Sequence, residues 1–418
     1  MKHTEQVKEI GLNALNASRK LALLKSTDKN RILIAMADAL DADCEFLKTE
    51  NAKDMEAGKE DGLSAAMLDR LLLTDDRIKG MSQGLRDIAK LRDPVGTVIS
   101  TVDRPNGLEI KKIRVPIGVI AIIYESRPNV TADAAALCFK TSNAVILRGG
   151  KEAAYSNRAI VQVMLAAGEK AGLPINAIQL LDIPGHDAVR DLVQLEDIIN
   201  LVIPRGGERL IRMVTENAHV PVIKHYKGVC HTFIDQSADL EMALNITENA
   251  KCQRPGVCNA IETLLVHRAI APSVLPTIIE MLKKQNVEIR GDAETFAMAP
   301  DIKPAVDEDW DAEYLDMILA VKIVDDAQAA IDHINKHGSG HSDAIITQDT
   351  ESAESFINQV DSATVYVNAS TRFTDGGEFG MGAEIGISTD KLHARGPMGL
   401  EELCTYKFVI GGTGQVRS

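Results

Sequence analysis

The pattern of apolar positions divides the chain into a helical first part and a later part in which strands and helices alternate. In residues 1–92, apolar residues recur at helical spacing, and the N-terminal segment has the pattern of an amphipathic helix. Ser26–Asp28 are candidates for the cap of the next helix. After Asp93-Pro94, the turn Arg104-Pro105-Asn106-Gly107 between two β-like runs predicts a hairpin.

Continuous apolar runs begin after Gly118 and are typical of strands buried on both faces. The first series is GVIAIIYE, NAVILRGG, AIQLLDI and IINLVIPRGG, with helix-like stretches between the runs. A second series begins at His231 with HTFIDQ, ETLLVH, VEIRG, ILAVKIV, SDAIITQ and SATVYVN. This alternation predicts an α/β fold with two parallel-sheet domains. The final run, EELCTYKFVIGG, is predicted to be an edge or inter-subunit strand.

Charge and cysteine content narrow the class of protein. The net charge of −14 argues against a nucleic-acid partner, and an anionic substrate would need a locally basic pocket. No apolar run approaches the ~20 residues of a membrane span, and the N-terminus does not resemble a signal peptide. The six Cys form neither a disulfide framework nor a zinc or C-x-x-C motif. We therefore expect a cytoplasmic protein without a membrane partner and without a metal.

Cys258 is the first candidate for chemistry, because it lies between a Pro255-Gly256 turn and the apolar run ETLLVH. A thiolate presented on a loop attacks acyl carbons well. Cys is also among the most frequently buried residue types, and most buried Cys residues are inert. The local pattern leaves both interpretations open.

Two Gly-Gly turns each follow a strand and precede a helix. In VILRGGKEA, Arg148 closes the strand and Lys151 opens the helix, which suits a phosphate, although solvated cations on an ordinary turn give the same pattern. In LVIPRGGERL, Arg205, Gly206 and Gly207 would let the backbone approach a pyrophosphate. The second turn is not G-x-G-x-x-G, so the usual dinucleotide fingerprint is absent.

Three further segments carry polar residues at predicted strand ends. Arg127-Pro128 follows the first buried strand, where ligands bind in open α/β sheets, although Pro also marks helix starts. HGSGHSD places two His around a turn, and that turn argues against a metal site. VNASTRFTDG follows the last strand and could face the same cleft.

Together these motifs resemble the aldehyde dehydrogenase superfamily over essentially the whole chain. The strongest are PGVCNAIETLLVH, IYESRPNVT, the V-x(5)-A-x-x-H pattern from Val324 through Ala330 to His333, and VNASTRFTDGGEFGMGAEIGIST. Within the superfamily they are similar to the branch that reduces L-glutamate 5-phosphate with NADPH through a Cys thioester. That reaction releases phosphate and L-glutamate 5-semialdehyde, as the second step of L-proline biosynthesis. The resemblance implies an NADPH-binding domain (1–100 and 117–230), a catalytic domain (231–366) and an oligomerisation element (101–116 and 380–418).

The resemblance also implies roles for individual residues. Cys258 takes the position of the nucleophile, and Arg205-Gly206-Gly207 takes that of the pyrophosphate loop. Arg148 falls on a superfamily Lys at the end of the second cofactor strand. Lys151 replaces an acidic residue common in NAD-preferring members, which favours a 2′-phosphate and hence NADP. Glu313 falls on the Glu that holds the nicotinamide ribose.

Two departures from the superfamily pattern affect the chemistry. Hydrolytic members have a Glu in an E-L-G-G context, and here His225 of H-Y-K-G stands in its place. The base that activates water for thioester hydrolysis is therefore missing. The oxyanion Asn of W-N-F-P is replaced by Ser126 in E-S-R-P, which leaves the backbone N–H of Cys258 as a candidate donor.

The anionic substrate needs polar partners, and four residues are candidates. Arg127 and Asn129 are predicted to hold an anionic end, with Asn368 and Arg372 as further candidates. The expected partners are the substrate, further copies of the chain in a homo-oligomer, and glutamate 5-kinase. Alternatives are another acyl reductase or aldehyde dehydrogenase on the same fold, or a non-catalytic scaffold.

Overall fold

The first part of the chain is helical in the computed structural model, which describes residues 2–417. Its helices are α1 (Lys2–Leu21), α2 (Ser26–Ala42), α3 (Cys44–Glu60), α4 (Ala65–Leu71) and α5 (Asp75–Lys90). The amphipathic N-terminal helix is confirmed as α1. The predicted cap of α2 is wrong, because Ser26 is already helical and Lys25 occupies the N-cap without a side-chain hydrogen bond. Asp28 lies in the first turn, where its charge complements the helix dipole.

The predicted hairpin is confirmed by β1 (Val98–Asp103) and β2 (Glu109–Pro116), which pair antiparallel around the Arg104–Gly107 turn. The amide N–H of Gly107 donates to the carbonyl of Arg104 at 2.9 Å and closes this turn. The φ of Gly107 is 84°, a conformation that favours glycine.

The first series of apolar runs forms a four-stranded parallel sheet in the order β5-β4-β3-β6. Its strands are β3 (Val119–Tyr124), β4 (Ala144–Arg148), β5 (Ile178–Leu180) and β6 (Leu201–Arg205). The helices of this region are α6 (Asn129–Lys140), α7 (Ala154–Lys170), α8 (His186–Val193) and α9 (Glu208–Asn217). All four predicted strands are confirmed, and β3 is buried along its whole length, which explains its continuous apolar sequence.

The second series forms a seven-stranded parallel sheet in the order β10-β9-β11-β8-β7-β12-β13. Its strands are β7 (Cys230–Ile234), β8 (Ile261–His267), β9 (Glu288–Gly291), β10 (Lys303–Pro304), β11 (Ile318–Val324), β12 (Ser342–Ile346) and β13 (Thr364–Val367). Its helices are α10 (Leu240–Cys252), α11 (Ala271–Lys284), α12 (Ala293–Met298), α13 (Ala327–His337) and α14 (Thr350–Gln359). One apolar cluster packs α10 and α11 against the sheet, and another packs α13 and α14. Of these seven strands the sequence missed one, β10, an exposed two-residue strand without an apolar pattern.

The last strands are β14 (Gly386–Ser388) and β15 (Gly396–Met398), which form a small sheet, and β16 (Cys404–Gly411). The predicted edge strand is confirmed as β16, which pairs antiparallel with β2 to give the order β1-β2-β16. This three-stranded sheet exposes large apolar side chains, namely Val98, Ile99, Val102, Tyr406, Phe408, Val409 and Ile410.

The chain packs as two compact units. The first contains residues 1–224, 380–386 and 398–418, and the second contains residues 225–379 and 387–397. The predicted assignment of segments to cofactor, catalytic and oligomerisation domains stays a prediction. No helix within residues 2–417 combines the length and apolarity needed to cross a membrane.

Candidate active site

Cys258 lies in the turn that joins α10 to β8 in the second unit. The turn begins where α10 ends at Cys252, and Pro255 cannot continue a helix. The Cys258 side chain is partly exposed, whereas Asn259 and Ala260, which lead into β8, are buried. The turn therefore presents a partly exposed thiol just before the start of a central strand of the sheet, as a nucleophile requires.

We name residues 253–260 the nucleophile turn, after the role predicted for Cys258, and the backbone of Gly228 approaches this turn closely. A Cβ atom at Gly228 would lie 2.5 Å from the Cα of Cys258 and 2.6 Å from its carbonyl carbon, so only glycine fits. The N–H of Gly228 donates to Glu313 Oε1 at 2.8 Å. Cys230 Sγ donates to the carbonyl oxygen of Cys258 at 3.2 Å. Sequence reasoning missed Gly228 and Cys230, and the one available signal was the glycine of H-Y-K-G just before an apolar strand.

The segment around Arg372 clamps both ends of the same turn. Arg372 Nε donates to Gln253 Oε1 at 2.9 Å, and its Nη1 donates to Asn259 Oδ1. Thr371 Oγ1 donates to the carbonyl of Asn259 at 2.7 Å, and Asn259 Nδ2 donates to the carbonyl of Thr374 at 2.9 Å. The structure thus brings Arg372, a predicted substrate residue, to the nucleophile turn.

The pKa of the Arg372 guanidinium is affected by burial and by neighbouring charges. Burial lowers the pKa of Arg372, the neighbouring Arg254 lowers it further, and Cys258 and Asp375 oppose this shift. A guanidinium remains charged in proteins, so Arg372 stays a cation. Two cations therefore lie next to the nucleophile turn.

The side chain of Asn368 joins two neighbouring loops by hydrogen bonds. It adopts a φ of 57°, and its side-chain amide bonds both backbone groups of Thr347, donating to the carbonyl at 2.9 Å and accepting from the N–H at 2.9 Å. These bonds tie the end of β13 to the end of β12. The substrate role of Asn368 stays a prediction.

In the first unit, the turn after β6 presents a backbone donor to an anionic oxygen. The N–H of Gly207, which precedes α9, donates to Glu125 Oε2 at 2.8 Å. A Cβ at Gly206 would lie 2.8 Å from the Cδ of Glu125, so the glycine allows this approach. A carboxylate oxygen thus occupies the place that the sequence assigns to a pyrophosphate oxygen.

The turn after β4 carries two cations that differ in burial, Arg148 and Lys151. Arg148 is partly buried, its Nη1 donates to the carbonyl of Gly149 at 2.7 Å, and its buried Nε has no hydrogen-bond partner within residues 2–417. Burial lowers the pKa of Arg148, while Asp182, Tyr124 and Glu152 act in the opposite direction. Lys151 is 86% exposed and lies 3.5 Å from Asp61 Oδ2.

Lys151 opens a short 3-10 helix (Lys151–Ala153), and the first turn of α7 that follows it binds a carboxylate of the protein. Buried Asp54 accepts from the N–H groups of Tyr155 at 3.1 Å and Ser156 at 2.7 Å. It also accepts from Ser156 Oγ at 2.6 Å. These first-turn donors of α7 therefore serve a carboxylate of α3, and the phosphate roles of Arg148 and Lys151 stay predictions.

The segment after β3 contains Ser126 and Asn129, whose side chains are already engaged. Ser126 has a φ of 37°, and its N–H and Oγ donate to Glu152 Oε1 at 2.6 and 2.7 Å. Asn129 Nδ2 donates to Asp133 Oδ2 at 3.1 Å, and burial raises the pKa of Asp133 to about 6. Arg127 is exposed between them. Their roles in substrate binding stay predictions.

Comparison with known proteins identifies the family. The model of the aldehyde dehydrogenase family matches residues 1–311 and 304–409. The chain belongs to the aldehyde dehydrogenase family. It is 54% identical over 413 residues to gamma-glutamyl phosphate reductase of Geobacter metallireducens, covering 99% of both chains. It is 55% identical over 412 residues to that of Moorella thermoacetica, again covering 99% of both chains.

Solved structures agree with this placement. The structure of gamma-glutamyl phosphate reductase from Thermotoga maritima matches with a TM-score of 0.97 and 45% identity, covering 99% of this chain and 100% of the other. A glyceraldehyde-3-phosphate dehydrogenase from Methanocaldococcus jannaschii, complexed with NADP, matches with a TM-score of 0.68 at 18% identity, covering 98% and 95%. The latter shows the fold alone. The predicted fold and the predicted resemblance are confirmed.

Enzymes of the aldehyde dehydrogenase family use a nicotinamide cofactor, and two features of the first unit fit one. The Gly207 N–H already binds an anionic oxygen, as a pyrophosphate site requires. The buried Arg148 Nε is a donor without an acceptor among the described residues. These residues therefore suit an anionic cofactor, which would displace the Glu125 carboxylate.

His225, which the sequence analysis places at the position of the hydrolytic Glu, has a defined tautomer. Its Nδ1 lies 2.9 Å from the carbonyl oxygen of Ile387, and since a carbonyl only accepts, Nδ1 must carry the hydrogen. Its ring packs edge-on against buried His341, with centroids 5.7 Å apart. His341 Nδ1 in turn lies 3.7 Å from Cys230 Sγ. His225 is thus fixed in a packed network that includes the sulfur contacting Cys258.

Proposed function

We propose that the chain reduces L-glutamate 5-phosphate to L-glutamate 5-semialdehyde with NADPH, releasing phosphate, as the second step of L-proline biosynthesis from glutamate. One observation carries the proposal: a partly exposed Cys258 lies in a turn that Gly228 and Arg372 constrain. The near full-length identity to gamma-glutamyl phosphate reductases supports the substrate.

In the proposed mechanism, the thiolate of Cys258 attacks the acyl carbon of the substrate. A C–S bond forms, the C–O bond to phosphate breaks, and phosphate leaves with the electron pair. The backbone N–H of Cys258 is the candidate donor to the oxyanion. Phosphate is a good leaving group, so this step needs little help from an acid.

A nicotinamide cofactor, when bound, supplies the hydride that brings the acyl group to the aldehyde level. Arg205, Gly206 and Gly207 would hold its pyrophosphate, and Glu313 its nicotinamide ribose. Arg148 and Lys151 would hold a ribose 2′-phosphate, which favours NADPH over NADH. Release of the aldehyde returns the Cys258 sulfur as a thiolate.

We also propose that the three-stranded sheet of β1, β2 and β16 mediates homo-oligomerisation. β1 is exposed along its length and β16 along nearly all of it, and both strands carry large apolar side chains. Natural proteins cover such edges to avoid aggregation. Association with glutamate 5-kinase and a cytoplasmic location stay predictions.

The decisive experiment couples the purified enzyme to glutamate 5-kinase, ATP and glutamate, which generate the acyl phosphate in place. NADPH oxidation should depend on the kinase, on ATP and on this chain. Oxidation of a free aldehyde to acid with NAD, without phosphate, would instead support a different aldehyde dehydrogenase.

Phosphate dependence of the reverse reaction follows from the replacement of the hydrolytic Glu by His225. With semialdehyde and NADP but no phosphate, we expect a burst of about one NADPH per site and then a stall, because water cannot remove the acyl group. Turnover should rise with added phosphate. The measurement is NADPH absorbance across a phosphate titration, and steady production of glutamate without phosphate would contradict it.

Cofactor preference should change in the Lys151→Glu variant. A charge-assisted contact to phosphate contributes about 1.5–3 kcal/mol, so kcat/KM for NADPH should fall about 10- to 150-fold while that for NADH is spared. Lys151 is exposed, so the fold should be unaffected. Lys170→Glu, at the other end of α7, is the matched control and should change neither value. Equal kcat/KM for the two cofactors in the unmodified enzyme would refute the assignment.

A further inference from the structure

Two arginines beside the nucleophile turn lack a carboxylate partner. No carboxylate oxygen lies within ion-pair distance of Arg254 or Arg372 among residues 2–417. Most other arginines in the second unit are paired, as Arg268 is with Glu294 and Asp325. In a chain with a net charge of −14, two unneutralised guanidiniums at one turn indicate a site for an anion.

The geometry of Arg372 leaves donors for that anion. A guanidinium has five N–H groups. The Nε–H of Arg372 donates to Gln253, and one N–H of its Nη1 donates to Asn259. The other three N–H groups have no acceptor within the described residues. Because Gln253 and Asn259 lie at the two ends of the turn, the guanidinium spans it beside Cys258. The protein thus fixes the orientation of Arg372 before any ligand arrives.

Arg254 approaches the same point from within the turn. It is exposed and follows Gln253, and its charge reaches Arg372 strongly enough to lower the pKa of that guanidinium. Pro255 restricts the backbone next to it. The pair therefore offers one guanidinium held by two hydrogen bonds and a second, exposed cation whose charge acts on it.

We propose that Arg254 and Arg372 form the site for the phosphoryl group of the acyl phosphate, and for inorganic phosphate in the reverse reaction. This assignment rests on the proposed function. The carbon that Cys258 attacks carries the phosphoryl oxygen directly, whereas the α-carboxylate lies at the far end of the glutamyl chain. A cation pair beside the sulfur therefore matches the phosphoryl group, and guanidinium forks suit phosphate.

The two directions of the step balance at this site. Going forward, the C–S bond forms, the C–O bond breaks, and phosphate keeps the electron pair next to the two cations. In reverse, a phosphate oxygen attacks the thioester carbon, the C–O bond forms, and the electron pair of the broken C–S bond returns to Cys258. The arginines bind the group that leaves in one direction and attacks in the other.

The test uses Arg254→Gln in the full-length enzyme with semialdehyde, NADP and inorganic phosphate as the varied ligand. Arg254 has no hydrogen bond or ion pair within residues 2–417, so the variant should fold normally. We expect the KM for phosphate to rise about tenfold or more, with an unchanged NADPH burst and an unchanged KM for semialdehyde. Arg254→Lys should recover part of the loss. Arg268→Gln, which removes an exposed charge elsewhere in the same unit, should leave all values unchanged.

The possible outcomes separate this site from the function on which it rests. A normal burst in Arg254→Gln with a phosphate KM equal to that of Arg268→Gln would overturn the phosphate site alone. A raised KM for semialdehyde at constant phosphate KM would assign the arginine to the carboxylate instead, which also overturns it. Absence of a burst in the unmodified enzyme would refute the proposed function itself.

Discussion

Replacement of Cys258 by Ala should abolish turnover in both directions, with kcat falling at least about 100-fold, while the protein stays folded and binds NADPH. The sulfur forms the bond that activates the acyl group, and no other atom of the turn can replace it. Sγ of Cys258 makes no hydrogen bond within residues 2–417, and the side chain is partly exposed, so its loss should cost little stability. Steady-state rates, thermal unfolding and NADPH binding check the three parts of the expectation.

The matched control is Cys252→Ala, which removes a sulfur at the end of α10, six residues before the nucleophile. That variant should stay within a few-fold of the unmodified enzyme. Alkylation provides a second measurement, since burial raises the pKa of the other thiols and slows their reaction, namely Cys44, Cys138, Cys230, Cys252 and Cys404. Substrate should protect Cys258 from the reagent. Retention of more than about a hundredth of kcat by Cys258→Ala would make covalent catalysis untenable.

The strands were predictable because burial on both faces leaves a direct mark on the sequence. A central strand such as β3 contacts apolar neighbours above and below, so every position is apolar. β10 leaves no such mark, because its two residues are exposed at a sheet edge. The place of Cys258 in a turn was also predictable, since a Pro-Gly turn before a buried strand is a local pattern.

The close contact of Gly228 with Cys258 was not predictable, because it depends on which strands are neighbours. Gly228 leads into β7 and Cys258 leads into β8, and these strands pair in parallel with Cys230 opposite Ile261. The turns that enter two adjacent parallel strands therefore meet. A sequence does not reveal strand order, so a glycine before an apolar strand did not show which backbone it would contact.

The carboxylate at the first turn of α7 was not predictable for the same reason. The Gly-Gly turn and the cations are local features, but the partner of the α7 N–H groups is Asp54, about a hundred residues earlier in the chain. A buried carboxylate contributed by α3 satisfies these first-turn donors. Only tertiary structure shows whether a helix N-terminus is open to a ligand.

Gly228→Ala should lower kcat/KM at least about 100-fold, although position 228 carries no reactive group. The added Cβ would lie 2.5 Å from the Cα of Cys258 and 2.6 Å from its carbonyl carbon, and neither backbone can yield without moving the turn. The shift would also strain the bonds from Gly228 to Glu313 and from Cys230 to the Cys258 carbonyl. A misplacement of about 1 Å at a reacting centre can cost 100-fold in rate.

Gly256→Ala provides the matched control for this effect, because the same methyl group is added within the nucleophile turn itself. There the nearest atom to the new Cβ is the carbonyl oxygen of Leu315 at 3.6 Å, an ordinary contact. Its kcat/KM should stay within a few-fold of the unmodified enzyme. The measurements are kcat/KM, the alkylation rate of Cys258 and the unfolding temperature of both variants. If Gly228→Ala retained activity and thiol reactivity comparable to those of Gly256→Ala, the position of Cys258 would not depend on its backbone contact with Gly228. The hydrogen bonds from Arg372 would then be sufficient to hold the turn.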